Sequence, residues 1–378
     1  MPGTTLHLRA ECKPLEHRSL LTPSTTKSLL DAGYAVNVER SPERIFDDRE
    51  FEEAGATLVL EGSWPSAPLD HLILGLKELP ENEDFPLKHT HVQFAHCYKQ
   101  QGGWEQVLSR FPRGGGTLLD LEFLTDDTGR RVAAFGYHAG FAGAALALEA
   151  WAWQRTHPPS DPLPGVQSYA NEDLLIEDVK AAIARGMASG GDDVLPPRVL
   201  IIGALGRCGK GAIDLCRKAG IPNSRILEWD MAETAGGGPF PEILESDVFV
   251  NCIYLSSPIP PFVSPASLSD PSRRLAVIVD VSCDTTNPHN PIPVYSINTT
   301  FKNPTVQVPT ERDPQLTVIS IDHLPSLLPR EASEAFSLAL LPSLMQLAER
   351  DKARVWVQAE ELFKDKVNLL PSEPNNRP

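Results

Sequence analysis

Residues 198–230, RVLIIGALGRCGKGAIDLCRKAGIPNSRILEWD, decide the fold. The apolar run Val199 to Ile202 meets glycines at Gly203, Gly206 and Gly209, a helical stretch follows through Lys218, and a second apolar run closes on Asp230. Strand, turn, helix and strand in that order make a βαβ unit. Its glycines let backbone amides approach a pyrophosphate at a helix N-terminus, where free N–H groups and the macrodipole favour negative charge. A carboxylate one strand over accepts hydrogen bonds from ribose hydroxyls and repels a 2′-phosphate, so Asp230 predicts NAD rather than NADP. The spacing is G-x-x-G-x-x-G rather than the commoner G-x-G-x-x-G, with Leu205 where the second glycine usually stands. The flanking strand, helix and acid therefore carry the reading, against the alternative of a purely structural turn.

Working outward, 378 residues exceed one ordinary core and predict two domains. A net charge of −16 argues against nucleic acid or an anionic membrane as partner, so any anionic substrate must be held by local arginines. Six cysteines, at 12, 97, 208, 216, 252 and 283, form no C-x-x-C pair, which suits a reducing compartment and no zinc motif. The start lacks a secretion signal and no apolar run approaches the ~18 residues of a membrane span, so a cytoplasmic protein is expected.

The first ~137 residues alternate short apolar runs with helical stretches: TLHLRA, a helix over 25–32, AVNVE, a helix near 49–54, TLVL, HLILGLK, HVQFAHCY, a helix over 103–111, and GTLLDLEFL. Such alternation predicts a mostly parallel sheet with helices on its faces. A small-residue helix from Ala139 leaves this unit and the breaker cluster His157 to Gly165 ends it. A helix over 171–187 precedes the nucleotide unit, whose further strands are DVFVNCIY, LAVIVDVSC and LTVISIDHLP, and after Pro325 the pattern is helical. The tail from Pro371 to Pro378 is read as disordered. The expected fold is α/β, two Rossmann-like domains with mostly parallel sheets joined by a long helix. Residues 1–137 plus 325–378 form a substrate domain and 138–324 an NAD-binding domain, with the active site in the cleft between them.

Open α/β sheets bind ligands beyond the carboxyl ends of their strands, so those ends are where chemistry is sought. HLILGLK ends on Lys77 and Glu78, HVQFAHCY runs through His96, and GTLLDLEFL carries Glu122 before Arg130 and Arg131. A base, an acid, two carboxylates and two cations thus share one edge, although each alone reads more readily as a solvated turn residue or a structural histidine. Arg18 lies in the loop after the first strand, able to fork onto a substrate carboxylate or to pair with Glu16. The second domain offers 280–284 and 321–324 past its strands. His89 and His91 alternate with Thr90, but without a third ligand they read as solvent-facing residues.

Read together, TLHLRAECKPLEHRSLLTP, ILGLKELPE, QFAHCYKQQGGW, LDLEFLTDDTGRRVAAFGYHAGFAGAA, VLIIGALGRCGKGAIDL, VNCIYLS, DVSCDTTNPHNPIP and ISIDHLPSLLPREAS resemble the fungal saccharopine dehydrogenases that form lysine with NAD, across nearly the whole chain. The fold is shared with alanine dehydrogenase and transhydrogenase. The resemblance implies oxidation of saccharopine by NAD and hydrolysis of the imine to L-lysine and 2-oxoglutarate. It makes Lys77 the base and His96 the general acid/base, with Glu78 and Glu122 tuning them. A lysine can act so only if its pKa falls far below ~10.4. The resemblance places Arg18, Gln101, Arg131, Phe135, Ser282, Cys283 and Asp284 on the substrate. It places Arg130, Gly203, Gly206, Arg207, Gly209, Asp230, Thr234, Tyr254, Val281, Ile321, Asp322, His323 and Leu324 on NAD. Cys208 and Cys252 sit at one edge of the second sheet and are a candidate redox pair, the alternative being two buried thiols. Small molecules are the expected partners, of a monomer, with no nucleic acid, membrane or metal. Two other readings stand beside this one: an alanine-type amino-acid dehydrogenase, and a non-catalytic NAD sensor.

Overall fold

The structure is a computed structural model that describes residues 3–80, 82–100, 102–191, 195–255, 257–283, 285 and 289–371. Of the sequence expectations, those on Gln101, on Asp284 and on the tail beyond Pro371 lie outside the described residues. Two compact units are present, one of residues 1–134 and 329–378, the other Phe135–Leu328. The breaks fall at 134/135 and 328/329, a few residues from the expected 137/138 and 324/325. The reason is that the long helix starts at Gly136, with Phe135 as its N-cap, and the C-terminal helix starts at Pro329.

In the first unit six strands, β1 (Thr5–Leu8), β2 (Ala35–Glu39), β3 (Thr57–Val59), β4 (Leu72–Leu74), β5 (Thr90–Gln93) and β6 (Thr117–Asp120), form one sheet in the order β3-β2-β1-β4-β5-β6. Every pairing in it is parallel. The strand order reverses between β1 and β4, and such a switch point leaves a crevice beyond the carboxyl ends. Continuous apolar runs such as Leu72-Ile73-Leu74 suit strands covered on both faces. The run GTLLDLEFL is strand only to Asp120, after which Leu121–Phe123 tightens into a 3-10 turn. Leu21-Thr22-Pro23 is a helix start: Thr22 and Thr25 make a capping box and Pro23 stands at the first helical position of Pro23–Asp31. That start fixes the loop from β1 that carries Arg18. The C-terminal helices return to this unit, where Ser333 Oγ accepts the Ser19 amide at 2.9 Å and Ser337 meets Thr25 at 2.7 Å.

The histidines expected to face solvent are instead core residues. His89 and His91 are 2% and 0% exposed, and the His91 ring stands edge-on to Trp64 and Phe111. β5 is an interior strand, so His91 and Gln93 within it and His89 just before it are buried against their neighbours.

The second unit holds β7 (Val199–Ile202), β8 (Ile226–Trp229), β9 (Val248–Asn251), β10 (Val277–Asp280), β11 (Val306–Val308) and β12 (Leu316–Ile319), in the order β11-β12-β10-β9-β7-β8. Only β11 runs antiparallel, at an edge. The helix Gly136–Thr156 is apolar around its circumference because it is a core element of this unit rather than an exposed connection. It crosses the helix Arg207–Lys218 at close range. A Cβ on Gly140 would meet the Cys208 carbonyl oxygen at 1.8 Å, and one on Gly211 the Tyr137 oxygen at 1.9 Å. Among the described residues no helix is long and apolar enough to cross a membrane.

Candidate functional site

In the first unit the carboxyl ends of β1, β4, β5 and β6 present a cluster of alternating charges. Lys77, three residues past β4, is buried at 7% exposure. Its Nζ lies 4.0 Å from Glu78 Oε2, and the same oxygen is 3.7 Å from Nε2 of His96. Glu78 Oε2 is buried and has no hydrogen-bond partner among the described residues, while Lys13 Nζ donates to Oε1 at 3.1 Å. Burial works against ionising Glu78, but the charges of Lys77, Lys13 and His96 outweigh it and hold the carboxyl below its ordinary range. Glu122 likewise stays ionised against its burial, through a 2.7 Å bond from Lys99 and the charges of Arg131 and His96.

His96 follows β5 with its backbone in the left-handed region, at φ 51. A non-glycine residue held there costs on the order of 1 kcal/mol and persists only where its surroundings over-determine it. The ring stacks on Phe94 at 6.3 Å and its side chain is 42% exposed, so it reaches water where Lys77 does not. Arg131 lies over the other end of this patch, 5.9 Å from the Phe94 ring centre. Arg130 is exposed in the neighbouring turn, its amide donating to Asp126.

Arg18 is only 4% exposed, and its fork is engaged: Nε and Nη2 donate to the two oxygens of Glu16 at 2.7 and 2.6 Å. Burial opposes the Glu16 charge, yet Arg18 and, behind it, Lys77 hold the carboxyl below its ordinary range. Three groups at this edge escaped the sequence reading. Arg9 and Glu11 hold the Lys77 backbone, and Asp120 lies at the end of β6. Asp120 accepts the Glu122 amide at 2.9 Å and is raised to about 7, by burial first and by Glu122. Nothing in the local pattern marks Arg9 and Glu11, whose partner Lys77 is strands away, or the burial of Asp120.

In the second unit the glycine turn follows β7. Gly203 has φ 91, and a Cβ there would meet Ile253 Cγ2 at 2.7 Å; one on Gly209 would meet the Gly203 oxygen at 2.2 Å. Gly206 caps the helix Arg207–Lys218 with no side-chain bond, so no cap side chain occupies this helix N-terminus, where negative charge is favoured. Asp230 ends β8 beside this turn, and its Oδ2 accepts the Leu205 amide at 3.0 Å. The Thr234 hydroxyl donates to the Asp230 carbonyl at 2.9 Å, and Leu205 and Tyr254 are exposed at the same end of the sheet. Glycines that let the turn close tightly, a helix N-terminus without a side-chain cap and an adjacent carboxylate fit a dinucleotide.

Past β10, Asp280 is wholly buried. It accepts the Ser282 hydroxyl at 2.6 Å, Asn251 Nδ2 at 2.9 Å and the Tyr295 hydroxyl at 2.5 Å, so Ser282 caps the strand end. Cys283 is left-handed at φ 53. Val281 is partly buried against the core. Ile321 and Leu324 are core residues at 1% exposure, Asp322 is exposed, and His323 stands edge-on to Phe301. Cys208 and Cys252 are free thiols. Burial raises both, and Cys208 adds to the effect on Cys252.

Two mostly parallel sheets, one followed by a glycine turn and an acid and the other by a cluster of charged strand-end residues, have the Rossmann-like architecture of the nicotinamide-nucleotide dehydrogenases. The family "Alanine dehydrogenase/PNT, N-terminal domain" matches residues 7–142. A solved L-alanine dehydrogenase superposes with a TM-score of 0.64 at 19% identity, covering 95% of this chain and 93% of that one. Curated relatives narrow the class. The saccharopine dehydrogenase (NAD+, L-lysine-forming) of Yarrowia lipolytica is 66% identical over 358 residues, 95% of this chain and 96% of its own. That of Neurospora crassa is 66% identical over 372 residues, 98% of each chain. The chain belongs to the NAD-dependent, L-lysine-forming saccharopine dehydrogenase family.

Proposed function

We propose that the chain carries out the reaction its family is named for, with Lys77 and His96 moving the protons: saccharopine, NAD and water give L-lysine, 2-oxoglutarate, NADH and a proton. The observation that supports these roles is the buried Glu78 oxygen within 4.0 Å of Lys77 Nζ and 3.7 Å of His96 Nε2. NAD, when bound, accepts the hydride. Gly203, Gly206, Arg207 and Gly209 would hold its pyrophosphate, and Asp230 its ribose.

Oxidation at the glutamyl carbon needs the secondary amine neutral, and buried Lys77 takes that proton. Water then adds to the carbon–nitrogen double bond. His96, which reaches solvent, takes the proton of the attacking water and later returns one to the departing lysine amine. Glu78, ionised beside both, stabilises whichever partner carries the proton. Arg18 and Arg131 are assigned to the substrate carboxylates, and Glu16 then orients Arg18 through its 2.6 and 2.7 Å bonds. Six free thiols and a charge of −16 support a cytosolic enzyme of small molecules rather than a nucleic-acid binder.

The test is to offer saccharopine, alanine and glutamate separately as hydride donors to NAD. NADH formed with equimolar lysine from saccharopine alone supports the proposal. NADH from alanine would give the alanine-type reading, and nucleotide binding without turnover of any of the three would make the chain a sensor.

A further inference from the structure

We propose that Arg9 and Glu11 are positioning residues for Lys77, acting through its peptide backbone; the inference rests on the reading of Lys77 as the base. On the β1 side of β4 the ladder stops at Leu74, whose carbonyl accepts the Arg9 amide at 2.9 Å. Beyond it, side chains from the end of β1 take over from the backbone. Glu11 accepts the Leu76 amide on Oε1 at 2.6 Å and the Lys77 amide on Oε2 at 2.9 Å. Arg9 donates from Nη2 to the Lys77 carbonyl, and also reaches the Gln93 side chain at 3.5 Å. Both polar groups of the Lys77 main chain are therefore held by one pair of residues, itself joined at 3.4 Å from Arg9 Nη1 to Glu11 Oε2.

The device is built into the sheet. Arg9 is 1% exposed and crosses β4 where residue 75 is glycine, since a Cβ there would lie 2.3 Å from Arg9 Nε. Charge-assisted bonds to backbone groups are roughly twice as strong as neutral ones. They fix the direction in which the Lys77 side chain leaves the strand, a misplacement of about 1 Å being enough to cost a hundredfold in rate. Of the three β4-side main-chain groups this pair holds, the Leu76 N–H, the Lys77 N–H and the Lys77 carbonyl, two belong to the residue proposed as the base.

The experiment measures saccharopine oxidation by Glu11→Gln and Arg9→Lys, each in the parent and in a Lys77→Met background, with amide exchange followed over residues 72–80. Expected is a fall in kcat of about tenfold to a hundredfold with KM for saccharopine and NADH affinity within about threefold. Faster exchange of the Leu76 and Lys77 amides should accompany it, and neither substitution should add a further loss once Lys77 is methionine. Equal losses in both backgrounds, unchanged kcat, or failure of both variants to fold where Lys77→Met folds would overturn the positioning role. If Lys77→Met alone keeps full activity, the assignment of the base fails instead, and the two failures are told apart.

Discussion

The two units place their candidate functional groups at the carboxyl ends of similarly ordered parallel strands but build them from different material. The second unit uses backbone: glycines at 203, 206 and 209 let the turn pack closely, beside a helix N-terminus with no side-chain cap, all within one βαβ unit. The first unit uses side chains from the ends of four strands, held apart and in place by ion pairs such as Glu16–Arg18, Lys13–Glu78 and Lys99–Glu122. A backbone site tolerates changes in its neighbours' chemistry but not an added Cβ. A side-chain site tolerates small backbone shifts but fails when one charge is removed.

That contrast is broken most easily at Lys77 and His96. Lys77→Met and His96→Gln should each lower kcat by about 10² to 10⁴, with NADH affinity kept, as steady-state rates and nucleotide titration will show. In the other unit, Gly209→Ala sets a methyl 2.2 Å from the Gly203 oxygen, so the turn must open. Nucleotide affinity should fall by about tenfold or more, with the activity of the nucleotide-saturated protein much less affected.

A smaller effect is expected from Asp120, 2% exposed, whose carboxyl is raised to about 7 against 3.8 when free. The folded state holds that proton more tightly than the unfolded one. The resulting contribution to stability is present in full only below the free value and is lost as pH climbs through about 7. Asp120→Asn removes the penalty, so its stability gain over the parent in denaturant titrations should be larger at pH 8 than at pH 5, by about 1–3 kcal/mol. Smallest is Asp230→Ala, expected to narrow the preference for NAD over NADP by about tenfold, read from the ratio of kcat/KM values.

The same contrast explains what could be read in advance. The cradle was legible because its parts are contiguous: apolar run, spaced glycines, helix and acid. Lys77, His96 and Glu122 were legible as residues closing apolar runs, and the resemblance gave them roles. Arg9 and Glu11 were not, since each acts on the peptide groups of Lys77 far along the chain, and Asp120 was not, since its burial at the end of β6 is set by elements packed around it. The left-handed backbone at His96 and Cys283 leaves no trace in composition. The burial of His89 and His91 was not legible, because two histidines with no third metal ligand read as solvent-facing residues, whereas β5 is an interior strand packed by elements elsewhere in the chain.

The division of labour between backbone cradle and side-chain cluster is tested most directly by the dissociation constant for NADH, measured side by side in the parent, Lys77→Met and Gly209→Ala. Lys77→Met should bind within about twofold of the parent, while Gly209→Ala should be weakened by about tenfold or more. Loss of binding in Lys77→Met, or parent-like binding in Gly209→Ala, would contradict that division.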